Sequence, residues 1–363
     1  VDGIEAGAYR IPTDQPEADG TLAWDHTDVV VVRASAGSVV GTGWTYGSGA
    51  CVEVIRSVLA EQVHGLDVLD VAAAHERMLR AVRNLGGRGL VAMAVSAVDI
   101  ALWDLKARVV GVPLCGLLGR VQPSIPVYGS GGFTTYDSST TARQLEHWVG
   151  TDGVGAVKIK VGESWGTEWR RDLERVALAR KVIGADVELF VDANGGYTVG
   201  QAARVGREMV EGSGVVWFEE PVSSDDLDGL GQLRGRLACD VAAGEYGFDL
   251  AYFERMLTAG AVDCLQIDVT RCGGYTTWLG VAALAAARNL QVSGHCAPSL
   301  HAQVAVAVPN ARHIEYFHDH CRADAMLFDG VLDARDGVLT PDPDRPGHGM
   351  TLKVPDAEAF RLR

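Results

Sequence analysis

Paired cysteines, long apolar runs and excess positive charge are all scarce in this sequence. Seven cysteines are scattered through 363 residues, an odd number with no Cys-x-x-Cys pair. That pattern argues against a disulfide scaffold or a thiolate zinc site and suits a reducing compartment. The longest apolar run, Val91 to Trp103, is shorter than the ~20 residues that span a bilayer, and it carries Asp99. No membrane span is expected. No secretory signal is read at the N-terminus, so a cytoplasmic location is expected. Lys and Arg number 32 against 47 Asp and Glu, a formal net charge of -15. Such a chain repels a phosphate backbone, so a nucleic-acid partner is not expected. An anionic small molecule is still allowed, because a bound cation can invert the field of one pocket. An early glycine-rich phosphate loop, which a doubly wound nucleotide-binding sheet would normally show, is also missing.

What is present is enough apolar material, 47% of residues, for a large core. The length suits a barrel-sized domain plus a smaller one. Thr27–Arg33 is β-rich, Ala36-Gly37 makes a turn, and Val39–Tyr46 runs back. Helical spacing follows from Ser48 to Ala107, and Gly111-Val112-Pro113 ends it. Sheet first and helices second predicts an α+β capping domain over residues 1–120. From Ile125 a different rhythm starts. Eight β-rich runs recur: Ile125–Tyr128, Ala156–Val161, Glu188–Val191, Val215–Glu219, Val241–Gly244, Cys264–Ile267, Leu290–Ser293 and His313–Tyr316. Helical segments such as Gly166–Ile183, Val199–Glu211 and Gly274–Asn289 lie between them. This alternation predicts a (β/α)8-type barrel of the α/β class over residues 121–320. The polar, Pro- and Gly-rich residues 321–363 are expected to return to the capping domain.

Chemistry-bearing side chains keep step with these strands. Lys158 and Lys160, Asp192, Glu219, Glu245, Asp268, His295 and Glu315 all fall at C-terminal strand ends. From Lys160 onward the successive separations are 32, 27, 26, 23, 27 and 20 residues. Each step is about one strand–helix unit, so the side chains would converge on one barrel mouth. Taken singly, each acid could equally pair with a basic residue or cap a helix. Three carboxylates brought together, Asp192, Glu219 and Glu245, repel one another unless a cation sits between them, and Mg²⁺ with oxygen ligands is the natural choice. Glu220 is an alternative ligand. Lys158 and Lys160 share a face of their strand. Two close ammonium groups lower the pKa of at least one, which would make a usable base; the alternative is a solvated pair. Asp268 would fix the tautomer of His295. Lys160 and His295, from strands either side of the acids, could flank a substrate.

These residues resemble the mandelate racemase subgroup of the enolase superfamily. The resemblance rests on Lys158-Ile159-Lys160, Val191–Asn194, Trp217–Pro221, Gly244-Glu245, Gln266–Gly274, Gly294-His295 and His313–Glu315, and on Ser96–Lys106 in the capping domain. It implies that Asp192, Glu219 and Glu245 bind Mg²⁺ and that Lys160 acts on one face of the α-carbon. It implies that Lys158 tunes Lys160 or touches the carboxylate, and that His295, oriented by Asp268, acts on the other face. Glu315 would be a protonated acid facing the enolate oxygen. A Lys or His base working with Mg²⁺ is the general pattern of enolase-type sites, so this mechanism comes with the resemblance. Loops around Thr13–Trp24 and Gly43–Gly47 are expected to fold over the mouth. Trp44, Tyr46 and Asn194 are candidate substrate contacts; Trp44 and Tyr46 could equally be packing residues.

The resemblance implies Mg²⁺-dependent α-proton abstraction from a carboxylate substrate. Dehydration of an acid sugar ranks first, racemisation or epimerisation of a 2-hydroxy acid second, and an inert barrel used as a binding module third. A homo-oligomer is expected.

Overall fold

The computed structural model describes residues 1–362. Its first unit is an antiparallel sheet in the order β1 (Gly3–Ala18), β2 (Ala23–Ala36), β3 (Val39–Tyr46). Here the structure corrects the expectation of a mouth-covering loop at Thr13–Trp24. Pairing of β1 with β2 shifts register between Pro12 and Glu17, then resumes with Glu17 opposite Trp24 and Ala18 opposite Ala23. The cover is therefore the far end of a long hairpin. Pro12 and Pro16 look like loop residues, but β1 is an edge strand, where a missing N–H costs no ladder bond. Gly43–Gly47 is likewise mostly the end of β3.

The Leu90–Val110 helix packs across this sheet. Gly41 and Gly43 make the packing possible, because a Cβ on either would collide with the helix backbone at Ala97–Leu105. The helix stops at Gly111, which takes the left-handed conformation at φ 78°. Asp99, the charge in the longest apolar run, is fully buried and accepts from the Thr276 hydroxyl at 2.6 Å and the Thr276 N–H at 3.1 Å. It ties the capping helix to the start of a barrel helix, Gly274–Ala286.

The second unit is a closed parallel barrel. Its strands are β4 (Ile125–Gly131), β5 (Ala156–Lys160), β6 (Glu188–Asp192), β7 (Val215–Glu219), β8 (Asp240–Ala243), β9 (Cys264–Ile267), β10 (Gln291–Gly294) and β11 (Ala311–Phe317). Neighbours pair in sequence order and β11 pairs back onto β4. Alternate residues point inward. Tyr128, Ala156, Phe190, Trp217, Ala242 and Cys264 form one buried apolar layer that fills the barrel. Two residues further along these strands the character changes: Ser130, Lys158, Asp192 and Glu219 sit on top of that floor. The same period that builds the core thus delivers the polar side chains to the mouth.

After β11 a helix, His318–Leu327, leads into the tail. Val338–Leu339 pairs antiparallel with Ile125 and Pro126 of β4, and Leu362 N–H reaches Ala8 O at 2.8 Å. The tail touches the barrel first and the β1 edge last. Among the described residues no helix is long and apolar enough to cross a membrane.

Candidate active site

Asp192, Glu219 and Glu245 end β6 and β7 or follow β8, and each offers a carboxylate oxygen within 4.8 Å of the others. All three are buried. Burial pushes Glu219 well above the usual carboxylate range against the pull of Lys158, and the charges of Asp192, Glu315 and Glu245 add to that push. Such a set fits a hard divalent cation, which would relieve the repulsion and take oxygen ligands. Glu220, the alternative ligand, stands outside this cluster. It is buried with positive φ, 37°, and its N–H is bonded to Ala242 O at 2.9 Å.

The lysines sit among the same acids. Lys158 Nζ lies 2.6 Å from Glu219 Oε1 and 2.7 Å from Glu315 Oε1, and Lys160 Nζ lies 2.5 Å from Asp192 Oδ2. Burial disfavours both ammonium groups, yet the surrounding carboxylates win and hold both above the usual lysine range. This reverses the expectation that mutual repulsion lowers one of them. The reason is the count of close acids: Lys160 feels Lys158, but Asp192 acts on it more strongly. A cation taken up by Asp192, Glu219 and Glu245 would compete for those same oxygens.

On the other side, His295 Nδ1 lies 2.8 Å from Asp268 Oδ2 and Nε2 lies 3.2 Å from Glu245 Oε2. Asp268 also accepts from the Thr270 N–H and hydroxyl, each at 2.7 Å, through Oδ1. Burial raises its pKa, but the His295 bond and the Arg271 charge outweigh it and hold the carboxyl well below its usual range. The imidazole is therefore oriented by a fixed anion. Glu315 accepts from Ser130 Oγ at 2.6 Å and from Cys296 N–H at 3.0 Å. Its expected neutral form is not what this geometry favours. Burial pushes it up, yet Lys158, His295 and Lys160 bring it well below the ordinary range, so it is ionised here.

A cavity of about 390 Å³ opens above these groups, lined by Lys160, Glu245 and His295 below and by the β1–β2 hairpin above. The hairpin tip is docked on the barrel. Thr134 N–H donates to Ala18 O at 2.8 Å and Trp165 N–H to Gly20 O at 2.9 Å. A Cβ on Gly20 would lie 2.5 Å from Val161 O, so only glycine allows this approach.

Of the expected substrate contacts, Asn194 and Tyr46 line the cavity. Tyr46 is mostly buried, with its ring stacked on His320 and its hydroxyl donating to Asp324 at 2.6 Å. Trp44 needs correction. It is fully buried, stacked on Phe328 with centroids 4.1 Å apart, and its Nε1 donates to Tyr46 Oη at 3.1 Å. It does not line the cavity; β3 alternation turns it into the core between sheet and tail.

The residue-by-residue reading passed over Arg271, Tyr246, Asp19, Trp24, Asp319 and His320, all of which line the cavity. Arg271 pairs with Asp268 and Glu245, each at 3.3 Å, and its guanidinium lies 5.2 Å from the Tyr246 ring centroid. Its signal was its place three residues after Asp268. Asp319 and His320 follow the eighth strand in the same way. Asp19 and Trp24 lie in the Thr13–Trp24 segment expected over the mouth, but nothing in a loop picture singles them out; the β1–β2 pairing that aims them does.

Residues 12–119 match the family profile of the mandelate racemase/muconate lactonizing enzyme N-terminal domain, and residues 140–357 match the enolase C-terminal domain-like profile. The chain is similar to L-talarate/galactarate dehydratase of Salmonella typhimurium, with 31% identity over 97% of this chain and 89% of that one. A mandelate racemase/muconate lactonizing enzyme-like protein from Rubrobacter xylanophilus superposes with a TM-score of 0.96, at 47% identity over 100% of this chain and 99% of the other. A racemase from Streptomyces coelicolor A3(2), solved with bound magnesium, gives a TM-score of 0.93 at 30% identity over 99% of both chains.

Proposed function

This chain belongs to the mandelate racemase/muconate lactonizing enzyme family, and from that premise we propose that it removes the α-proton of an acid sugar and expels the β-hydroxyl to leave a 2-keto-3-deoxy acid. It is an enzyme of the lyase or racemase type and its metal is Mg²⁺, as in the magnesium-bound relative. The observation that carries the reading is one juxtaposition. Three carboxylates cluster within 4.8 Å, with Lys160 against Asp192 at one end and His295 against Glu245 at the other.

In this reading Asp192, Glu219 and Glu245 hold the ion. When bound, Mg²⁺ supplies Lewis-acid stabilisation of the charge that develops on the substrate carboxylate. The α-proton beside a carboxylate is very weakly acidic, so a preorganised positive field is what the reaction needs. Lys160 can take the proton from one face only after it gives up its own, which Asp192 holds in place until that carboxylate turns to a cation, and its buried setting keeps competing water away. Lys158 adds positive charge near the carboxylate, balanced by Glu315. Glu315 can act as a hydrogen-bond donor only after it takes up a proton. His295, with Nδ1 held by Asp268, gives a proton to the departing hydroxyl.

Two bases from different barrel strands also suit a second reading, in which the proton returns to the opposite face of a 2-hydroxy acid. The likeness to a racemase with bound magnesium favours keeping it.

The test is keto-acid formation across a library of sugar acids in the presence of Mg²⁺. EDTA should abolish it and added Mg²⁺ restore it. Glu219→Gln should weaken metal binding in a titration and cut turnover by at least ~100-fold, the scale of several kcal/mol of lost charge stabilisation. Full turnover by metal-free protein would overturn the reading.

A further inference from the structure

The charge of the cavity is unevenly divided. Among the described residues its two permanent cations, Lys160 and Arg271, belong to the barrel floor and are already engaged by Asp192, and by Asp268 and Glu245. The capping hairpin carries acids instead, Asp19 and Asp28, and Asp319, at the start of the helix after β11, meets the hairpin at Trp24. Two histidines accompany them. His320 stacks on Tyr46 with centroids 3.4 Å apart, and burial lowers its pKa to about 3, so it is neutral. His26 lies 2.6 Å from Asp25 and 3.8 Å from Asp28, so acids already face it.

Asp319 is the most informative of these groups. It is 1% exposed; its Oδ2 accepts from Trp24 Nε1 at 2.9 Å, while its Oδ1 has no hydrogen-bond partner. Behind it lies Glu17, fully buried, which also faces Trp24 Nε1 at 3.1 Å and accepts from Tyr136 Oη at 2.8 Å. Burial and the neighbouring Asp319 push Glu17 up to about 9, so it keeps its proton at neutral pH. The two carboxyl groups lie side by side behind the cavity wall, and Asp319 Oδ1 is left without a donor.

We infer that the end of the substrate remote from its reactive carboxylate is uncharged and hydroxylated, that monocarboxylic sugar acids are accepted over dicarboxylic ones, and that Asp319 reads that end. This rests on the proposal above that the cavity receives an acid sugar. A hydroxyl can donate to Asp319 Oδ1. A second carboxylate has no proton to donate to that oxygen, and among the described residues that line the cavity it finds no cation free of an acid partner. A buried acceptor left without its donor discriminates strongly.

The test uses pairs of aldonic and aldaric acids that share stereochemistry at the carbons next to the reactive carboxylate. For each pair, keto-acid formation and quenching of tryptophan fluorescence are measured in Mg²⁺-loaded protein. The aldonic member should show a kcat/KM at least ~100-fold higher, and it should bind more tightly. Asp319→Asn, nearly isosteric, should raise the aldaric-to-aldonic ratio at least ~10-fold, chiefly through KM. Aldaric acids used or bound as well as aldonic ones would overturn the inference, as would an unchanged ratio in the variant. Selective aldonic binding without keto acid would support the inference and sink the dehydration reading instead. No binding by either class would overturn both.

Discussion

Lys158 is 1% exposed and Lys160 6%, and neither could stay charged at such depth without partners. Their carboxylate neighbours supply those partners, which is why these residues could be found in the sequence while their protonation could not. Strand parity puts Lys158, Lys160, Asp192 and Glu219 on the inner face of the barrel. The ionised state of Glu315 depends instead on Lys158 Nζ 2.7 Å away, a contact with no counterpart in a linear pattern. Glu17 makes the same point outside the catalytic cluster. Its carboxyl is pushed up from 4.5 to about 9, by burial first and then by Asp319. Between those pH values the folded state keeps a proton that the unfolded chain has released, so stability falls as pH rises through this window. Glu17→Gln keeps a neutral side chain throughout. Its melting temperature should match the parent near pH 5 and exceed it near pH 9, in thermal scans at each pH. Parallel curves for the two proteins would show that Glu17 does not carry this linkage.

Elements were legible where one period dominated. The eight barrel strands are short apolar runs bounded by turns, and the predicted Val215–Glu219 and Cys264–Ile267 coincide with β7 and β9. The β1–β2 hairpin was not legible. Its outer part mixes Pro, Asp, Gln and Glu without alternation, and it pairs only after a register shift at Pro12/Glu17. Trp44 was misplaced for a related reason: an aromatic near a mouth loop suggests contact, but one β-strand position decides which way it faces. The hairpin also supplies an element-scale prediction. Because a side chain at position 20 would press on Val161 O and Gly162 O, Gly20→Ala should lift the tip away from the barrel. Overpacking of this kind costs about 1–3 kcal/mol. KM should rise by roughly tenfold or more, while the melting temperature and Mg²⁺ affinity change little. Unchanged KM would mean that the tip does not close the site.

At the scale of the whole molecule, the barrel brings together groups that are far apart in the chain, and the capping sheet closes over them. Lys160 stands beside Asp192 on β5 and β6, whereas His295 follows β10 and leans on Asp268 beyond β9. They approach the acid cluster from different parts of the ring, which is the basis for assigning them to opposite faces of the substrate. Deuterium exchange at the α-carbon in heavy water, followed by NMR for both substrate configurations, tests that assignment directly. Lys160→Ala should abolish exchange for one configuration and retain it for the other, and His295→Asn should do the reverse. Asp268→Asn should follow His295→Asn, because its carboxylate serves the imidazole. Equal loss of exchange for both configurations in both base variants would contradict the two-face site.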